Sequence, residues 1–418
     1  MRIRDWDGNL KLRLGVEFAF NVVFWTFLPF LAIFFANSFG KGWAGVLLVL
    51  SQALSVAGNL LGGYAADRWG RKRMMVLAAC TQGIGYGVFA IAASPWVSWL
   101  FIGYLGFTLA SFAGSLYTPA SEAMVADVAE EKHRSSIFAV FWTSTNLAVV
   151  FGPVLGAVLF KDNPYILLAV SSVFCLLISA VLNRGLRETL PQYTLVNPRN
   201  KDEAPWYKFL AEQLRGYRII ASDQVFLLFI IAGVLLALTF MQLDILFPVF
   251  FKETLPSTDI LGFGGWHWVV PGQQLFGLIV SEFGLFVALF TVIVTKWMAG
   301  YKDRNVFISG ALLYAIGMVL FSHMSTFWGL SLAVAMFTIA EIASTGPQQA
   351  FISRLAPEDM RAQYFAASSI RFTLGRTIAP LAIPLSAWIG YTWTFGFLAA
   401  LAAVSAVLYW LMFKLFKR

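Results

Sequence analysis

The sequence predicts an all-α membrane protein: twelve transmembrane helices arranged as two pseudo-symmetric six-helix bundles around a central cavity. Three observations predict it. Hydrophobic residues make up 59% of the chain and charged residues only 12%, against roughly 25% charged in soluble proteins. The apolar residues fall in runs long enough to cross a bilayer, which takes about 20 residues at 1.5 Å each. A charged segment near residue 128 recurs 227 residues later, so the two halves repeat.

The spans are read at 13–37, 43–66, 74–94, 96–126, 136–160, 164–183, 224–251, 274–298, 305–323, 326–353, 362–387 and 391–413. Tight breaks such as Ser94-Pro95 and Gly390-Tyr391 separate neighbours that would otherwise merge. The first run is preceded by charges and lacks a small-residue cleavage site after it, so it is expected to remain as span one. Cys80 and Cys175 both lie in apolar helical segments, which suits small packing residues and neither a disulfide framework nor a metal site.

Orientation follows from the basic residues. Of 30 Lys and Arg, 25 fall on the side of the termini, beginning with Arg2, Arg4, Lys11 and Arg13 in the N-terminal tail. Only Lys41, Lys161 and Lys252 fall on the other side, and Arg371 and Arg376 lie inside a span. Both termini are therefore expected in the cytoplasm, with the chain multi-pass in the inner (cytoplasmic) membrane. The net charge of +8 then reflects positive-inside topology and not a nucleic-acid partner.

The longest polar stretch divides the chain into an N-terminal bundle (1–183), a cytoplasmic linker (184–223) and a C-terminal bundle (224–418). Within the linker, Trp206-Tyr207-Lys208-Phe209-Leu210 and the residues to Tyr217 read as an amphipathic surface helix. The repeat aligns Val128-Ala129-Glu130-Glu131-Lys132-His133-Arg134 with Leu355-Ala356-Pro357-Glu358-Asp359-Met360-Arg361. The same offset pairs Phe138 with Phe365 and Pro153 with Pro380. Repeated halves are how alternating-access transporters build a central site.

Between spans two and three stands Gly63-Tyr64-Ala65-Ala66-Asp67-Arg68-Trp69-Gly70-Arg71-Lys72. Gly70 permits a tight turn, and Asp67 and Arg71 are spaced i,i+4. The pattern resembles the signature loop of the major facilitator superfamily, G-x-x-x-D-R-x-G-R-K. The resemblance implies a conformational latch formed by Asp67, Arg71 and Asp127, with Gly63, Arg68, Gly70 and Lys72 completing the motif. In span five, Gly152-Pro153-Val154-Leu155-Gly156 allows close helix approach and a kink. It is similar to part of that family's antiporter motif, with Ala148 where the upstream glycine would stand. Leu12-Arg13-Leu14-Gly15, Met241-Gln242-Leu243-Asp244 and Glu341 look like the LmrP-type multidrug/proton antiporters. One position departs from that type: Phe141 stands where it carries a carboxylate in span five.

Glu17, Glu122, Asp244, Glu282 and Glu341 fall inside spans, together with Arg371 and Arg376. Each charge costs about 2.5–3.5 kcal/mol at the bilayer centre, so such residues are paired, protonated or hydrated. Either they lock helices together or they mark a proton and substrate pathway. By resemblance, spans one, four, seven and ten line the cavity, and Glu17, Glu122, Asp244 and Glu341 fall on those four. Aromatic residues such as Trp142 could stack on a lipophilic cation, or simply pack. One of the two arginines is expected to pair with an acid of the C-terminal half, Glu341 or Glu282.

An enzyme is not expected. His133, His267 and His323 have no ligand or triad partner at useful spacing. The sequence has no nucleotide-binding G-x-x-x-x-G-K-[ST] loop. Neither a cofactor nor a metal is expected. The partners expected are a lipophilic small molecule, protons and membrane lipids, with the protein a monomer. The leading reading is a secondary active transporter that exports lipophilic or cationic drugs in exchange for protons. An exporter or flippase of anionic amphiphiles such as lysolipids, headgroups bound by Arg371 and Arg376, and a non-transporting membrane receptor remain open.

Overall fold

A computed structural model describes residues 3–97, 99–159, 163–189, 223–263, 266–298, 300–357 and 361–416. The surface helix expected at 206–217 lies outside the described residues. Within them, every expected span is helical. The chain forms two compact units, Met1–Phe27 with Leu50–Glu212, and Leu28–Val49 with Gln213–Arg418.

Spans one and two run as a single helix, Gly8–Trp69, interrupted only at Gly40, whose φ of +76° suits a residue without a Cβ. Asp7 caps its start by accepting from the Asn9 amide at 2.7 Å. Spans three to six follow as Arg71–Ala92, Leu100–Val128, Glu131–Leu159 and Pro164–Gly185. Span three packs against both four and six. Small residues bring these helices close. A Cβ at Gly85 would meet the Gly106 carbonyl oxygen at 2.7 Å, and a Cβ at Gly106 the Gly85 oxygen at 2.7 Å. Gly152 sits equally tightly on span one, where a Cβ would lie 2.5 Å from that of Trp25.

The C-terminal spans repeat the packing: span nine (Asp303–His323) packs against span ten (Phe327–Leu355) and span twelve (Tyr391–Phe416). Their core is aromatic. Phe307 contacts Phe351, Tyr409 and Phe413 at ring separations of 5.7, 5.0 and 5.3 Å, and Phe247 contacts Phe321 at 4.3 Å and Phe395 at 5.6 Å. Span eight is Gly272–Met298.

Two spans read as continuous from the sequence are broken. Span seven comprises Gln224–Phe240, Gln242–Ile245 and Phe247–Thr254. Span eleven comprises Arg361–Ser368, Ile370–Ile378, a 3-10 turn Ala379–Leu381 and Ala382–Ile389. The breaks face each other: the Gln242 amide donates to the carbonyls of Leu238 at 2.9 Å and of Ala379, across in span eleven, at 3.2 Å. Pro380 lacks an N–H and favours the break in span eleven. Side-chain bonding to freed carbonyls is how interrupted helices persist inside a membrane.

The segment 252–273, expected as an outer loop, is instead largely a β-hairpin. Ser257–Phe263 pairs antiparallel with Trp266–Pro271, Thr258 opposite Val270 and Phe263 opposite Trp266. Ile260, Trp268, Val269 and Val270 favour strands, and Gly264-Gly265 stands between the two runs in sequence.

Apolar surface faces outward. Leu77, Ile84 and Ile91, seven residues apart on span three, are 56%, 51% and 63% exposed. They form one stripe, since two helical turns return a residue to nearly the same face. Trp43, Trp96, Trp388 and Trp393 are exposed at the loops opposite the Lys/Arg-rich ones, as in an interfacial aromatic belt.

Candidate functional site

A polar cavity of about 40 Å³ in the C-terminal spans is lined by Tyr314, Glu341, Ser344, Gln348, Arg371 and Tyr409 among apolar neighbours. A cavity needs roughly 10–15 Å³ on this measure to hold one water, so the space suits a few waters or a small ion. Span ten supplies Glu341, Ser344 and Gln348 at i, i+3 and i+7, one helical face. The Tyr314 hydroxyl of span nine donates to Glu341 Oε2 at 3.1 Å. The Ser344 hydroxyl is buried with no hydrogen-bond partner among the described residues, and the buried Tyr409 hydroxyl is close enough to Arg371 and Ser405 for both to act on it.

Arg371 is 2% exposed. Its Nε donates to the Ser368 carbonyl at 2.9 Å and its Nη1 to Gln348 Oε1 at 2.8 Å. The guanidinium carbon lies 4.1 Å over the Phe229 ring. An acid partner was expected for one arginine; Arg371 has an amide, a carbonyl and a ring face instead. Glu341 lies seven residues from Gln348, about 10 Å along the helix. Arg376 points away and is exposed. Its charge and that of Asp244 attract each other, although no ion pair within contact distance joins them among the described residues.

Asp244 occupies the short helix between the two breaks of span seven and is half-buried. Its charge acts on Glu341, so the structure brings these two carboxylates to one region of the bundle. Beside Asp244 in sequence, Gln242 is fully buried, with Oε1 left without a partner among the described residues. Glu282 is set apart, accepting a short hydrogen bond from Ser331.

In the N-terminal bundle, Glu17 pairs with Arg13, Nη2 to Oε2 at 2.9 Å. Arg13, counted with the tail on sequence alone, is inside the first helix and 2% exposed. Its guanidinium carbon lies 4.2 Å over the Phe141 ring, at the position where the resemblance called for a carboxylate. Glu122 is exposed, and the charges of Arg13 and Glu17 act on it. The side chain of Trp142 lies outside the described residues.

Between spans two and three, the motif residues gather around Arg71. Arg71 contacts Asp67 Oδ1 at 2.8 Å, Asp127 Oδ2 at 3.0 Å and the Ala66 carbonyl at 3.0 Å. Arg68 donates to the Tyr64 hydroxyl at 2.9 Å, and Gly63 lies 4.0 Å from Pro119 by its would-be Cβ. Gly70, at φ +103°, turns the chain into span three. Sequence reading missed Glu188 after span six. Its carboxylate accepts from the backbone amides of Arg71 at 2.9 Å, Lys72 at 3.2 Å and Thr189 at 3.0 Å. Thr189 in turn donates to Asp127 at 3.0 Å. In the second half, Arg354 and Asp303 form an ion pair. Arg354 stands 227 residues after Asp127, so the same junction is bridged with charges exchanged. Gly152 is buried against span one as described above, and Pro153 and Gly156 are also buried.

Comparison with known proteins agrees with this architecture. The Major Facilitator Superfamily description matches residues 14–270 and 254–417. The chain is 49% identical over 418 residues to a "Na(+), Li(+), K(+)/H(+) antiporter" of Planococcus maritimus, covering 100% of this chain and 99% of the relative. It is 21% identical over 379 residues to "Multidrug resistance protein MdtH" of Salmonella choleraesuis (strain SC-B67), covering 90% of this chain and 83% of the relative. Among solved structures, a POT family transporter in complex with a thioalcohol-conjugated peptide superposes with a TM-score of 0.75 at 17% identity, covering 98% of this chain and 96% of the other. The chain belongs to the Major Facilitator Superfamily and is a multi-pass membrane transporter, not an enzyme.

Proposed function

We propose that the protein exchanges protons for monovalent inorganic cations across the bacterial cytoplasmic membrane, with both termini in the cytoplasm. The observation that carries this reading is end-to-end similarity, at 49% identity, to a relative named for Na+, Li+ and K+ exchange against protons. The interior supports it. Asp244 and Glu341 are carboxylates on apolar spans, where a charge has to be paired, protonated or hydrated, so such residues mark ion and proton pathways. The hydroxyl-lined cavity beside Glu341, at about 40 Å³, is of a size for a small ion, and oxygen donors suit hard cations. Export of lipophilic or cationic drugs is a second reading, favoured by the similarity to MdtH along nine-tenths of the chain. The anionic-amphiphile reading is left with Arg376 alone to bind a headgroup, because Arg371 is buried and engaged with Gln348, Ser368 and Phe229.

Everted vesicles from cells lacking their own cation/proton antiporters test the proposal. After acidification by respiration, NaCl, LiCl or KCl should restore the fluorescence of a pH-gradient dye, and choline chloride should not. Failure of all three cations to release protons would remove the antiport reading. Restoration by a lipophilic cation alone would replace it with the drug reading.

A further inference from the structure

The repeat can be followed into the membrane. The offset of 227 that aligns the charged loops carries Tyr117 onto Ser344 and Ser121 onto Gln348. In the C-terminal half, Ser344 and Gln348 line the cavity beside Arg371, whose guanidinium lies over Phe229. In the N-terminal half, Tyr117 and Ser121 lie on span four, and the Arg13 guanidinium lies over Phe141. Each half therefore places a buried guanidinium on a phenylalanine between its first and fifth spans, with the two partners exchanged. Each half also presents two neutral polar side chains from its fourth span.

Three features set the N-terminal cluster apart. First, it is polar and buried: the Tyr117 hydroxyl and Ser121 Oγ lie close enough to act on each other and find no further partner among the described residues, and Arg13 Nε and Nη1 have none there either. Arg13 and Ser121 are each 2% exposed and Tyr117 is 9% exposed. Buried polar groups are seldom left this way unless water or a ligand completes them. Second, the faces oppose one another. Arg13, Glu17 and Phe20 share one stripe of span one, and Tyr117 and Ser121 share one of span four. The rings of Phe20 and Tyr117 meet at 5.4 Å. Third, one guanidinium serves two carboxylates, Glu17 at 2.9 Å and the exposed Glu122, on which its charge also acts. With both carboxylates ionised, the cluster carries one uncompensated negative charge.

We propose that Arg13, Glu17, Tyr117 and Ser121, with the exposed Glu122, form a second ion-exchange site in which one monovalent inorganic cation and one proton compete. The carboxylates, the phenol and the serine hydroxyl supply oxygen ligands to the cation. Either a proton or a cation neutralises the excess charge, and occupation by one excludes the other because Arg13 already neutralises the rest. The inference rests on the antiport reading and adds a site in the N-terminal half to the one beside Glu341.

Ion binding to the purified full-length protein tests it. A ligand that binds only the folded state raises Tm with concentration. The background is Asp244→Asn/Glu341→Gln, which removes the carboxylates of the C-terminal site, and NaCl is compared with choline chloride at equal ionic strength. In this background NaCl should still raise Tm, with a half-saturating concentration that grows about tenfold per unit fall in pH over the range where a single proton competes. Adding Glu122→Gln, which changes an exposed side chain, should abolish the NaCl-specific shift. Ser121→Ala should raise the half-saturating concentration severalfold and leave its pH dependence unchanged. An absent shift in the background, or a shift that survives both Glu122→Gln and Glu17→Gln, overturns the second site. If everted vesicles of the wild type still release protons on NaCl addition in that event, the antiport reading stands and only this inference falls.

Discussion

Removing Glu188 should loosen the first turn of span three, and the size of the effect can be worked from its bonds. The carboxylate accepts from the amides of Arg71 and Lys72, which head a helix with no side-chain cap of its own. Losing a capping side chain costs about 0.5–2 kcal/mol. Losing a negative charge from a helix N-terminus costs about 0.3–1 kcal/mol, with some overlap between the two effects. For Glu188→Ala we take about 1–2 kcal/mol of local stability, or roughly 5–30-fold faster opening. Glu188→Gln keeps an acceptor oxygen but not the charge, so it should fall between Ala and wild type. Hydrogen exchange of the Arg71–Met74 amides, read by mass spectrometry in nanodiscs, measures this directly. Amides distant from this turn should exchange as in wild type. If the first turn of span three exchanges at the wild-type rate in Glu188→Ala, the carboxylate is not what holds it.

Other substitutions probe other elements. Asp244→Asn or Glu341→Gln should abolish uphill cation accumulation in proteoliposomes while leaving downhill flux measurable; uphill transport by both variants would move the coupling elsewhere. Arg371→Lys should lower Tm, because an ammonium cannot both lie flat on Phe229 and bond Gln348 and the Ser368 carbonyl in the guanidinium's geometry; an unchanged Tm would mean these contacts contribute little. Gly152→Val should cost about 1–3 kcal/mol by overpacking against Trp25, visible as a lower Tm and reduced yield of folded protein. Asp67→Asn should shift label-to-label distances between the two halves and slow transport while insertion stays intact; unchanged distances with normal transport would remove the latch role.

Much of this was legible in the sequence because charge inside an apolar run is conspicuous. The twelve spans, the i,i+4 pairing of Asp67 with Arg71 and the separate fates of Arg371 and Arg376 follow from residue type and spacing, whereas the Arg71 contact with Asp127 came from the resemblance to the family's signature loop. Neutral polar residues were less visible. Tyr314, Ser344, Gln348 and Tyr409 line the cavity, yet each is an ordinary residue of an apolar helix. The breaks in spans seven and eleven were hidden because hydropathy does not register backbone interruption, and Gln242 carries no charge to draw attention to it. Arg13 was assigned to the tail because the tail's basic run enters the first helix without a gap. Charge complementarity suggested an acid, Glu341 or Glu282, for one of the two arginines; it did not show that Arg371 would have an aromatic face and an amide oxygen, which also satisfy a guanidinium. Glu188 stands at the edge of a polar linker, where one more acidic residue means little until the fold brings it to span three.

The central claim is exchange of protons for monovalent cations, and flux against a gradient tests it most directly. Purified protein is reconstituted into liposomes with an acidic interior, and 22Na+ is supplied outside at low concentration in a buffer of higher pH. The account predicts accumulation of 22Na+ above its outside concentration, driven by proton efflux, abolished by collapsing the pH gradient and reduced by excess unlabelled Li+ or K+. Accumulation no greater than in protein-free liposomes, with the gradient intact, would contradict it.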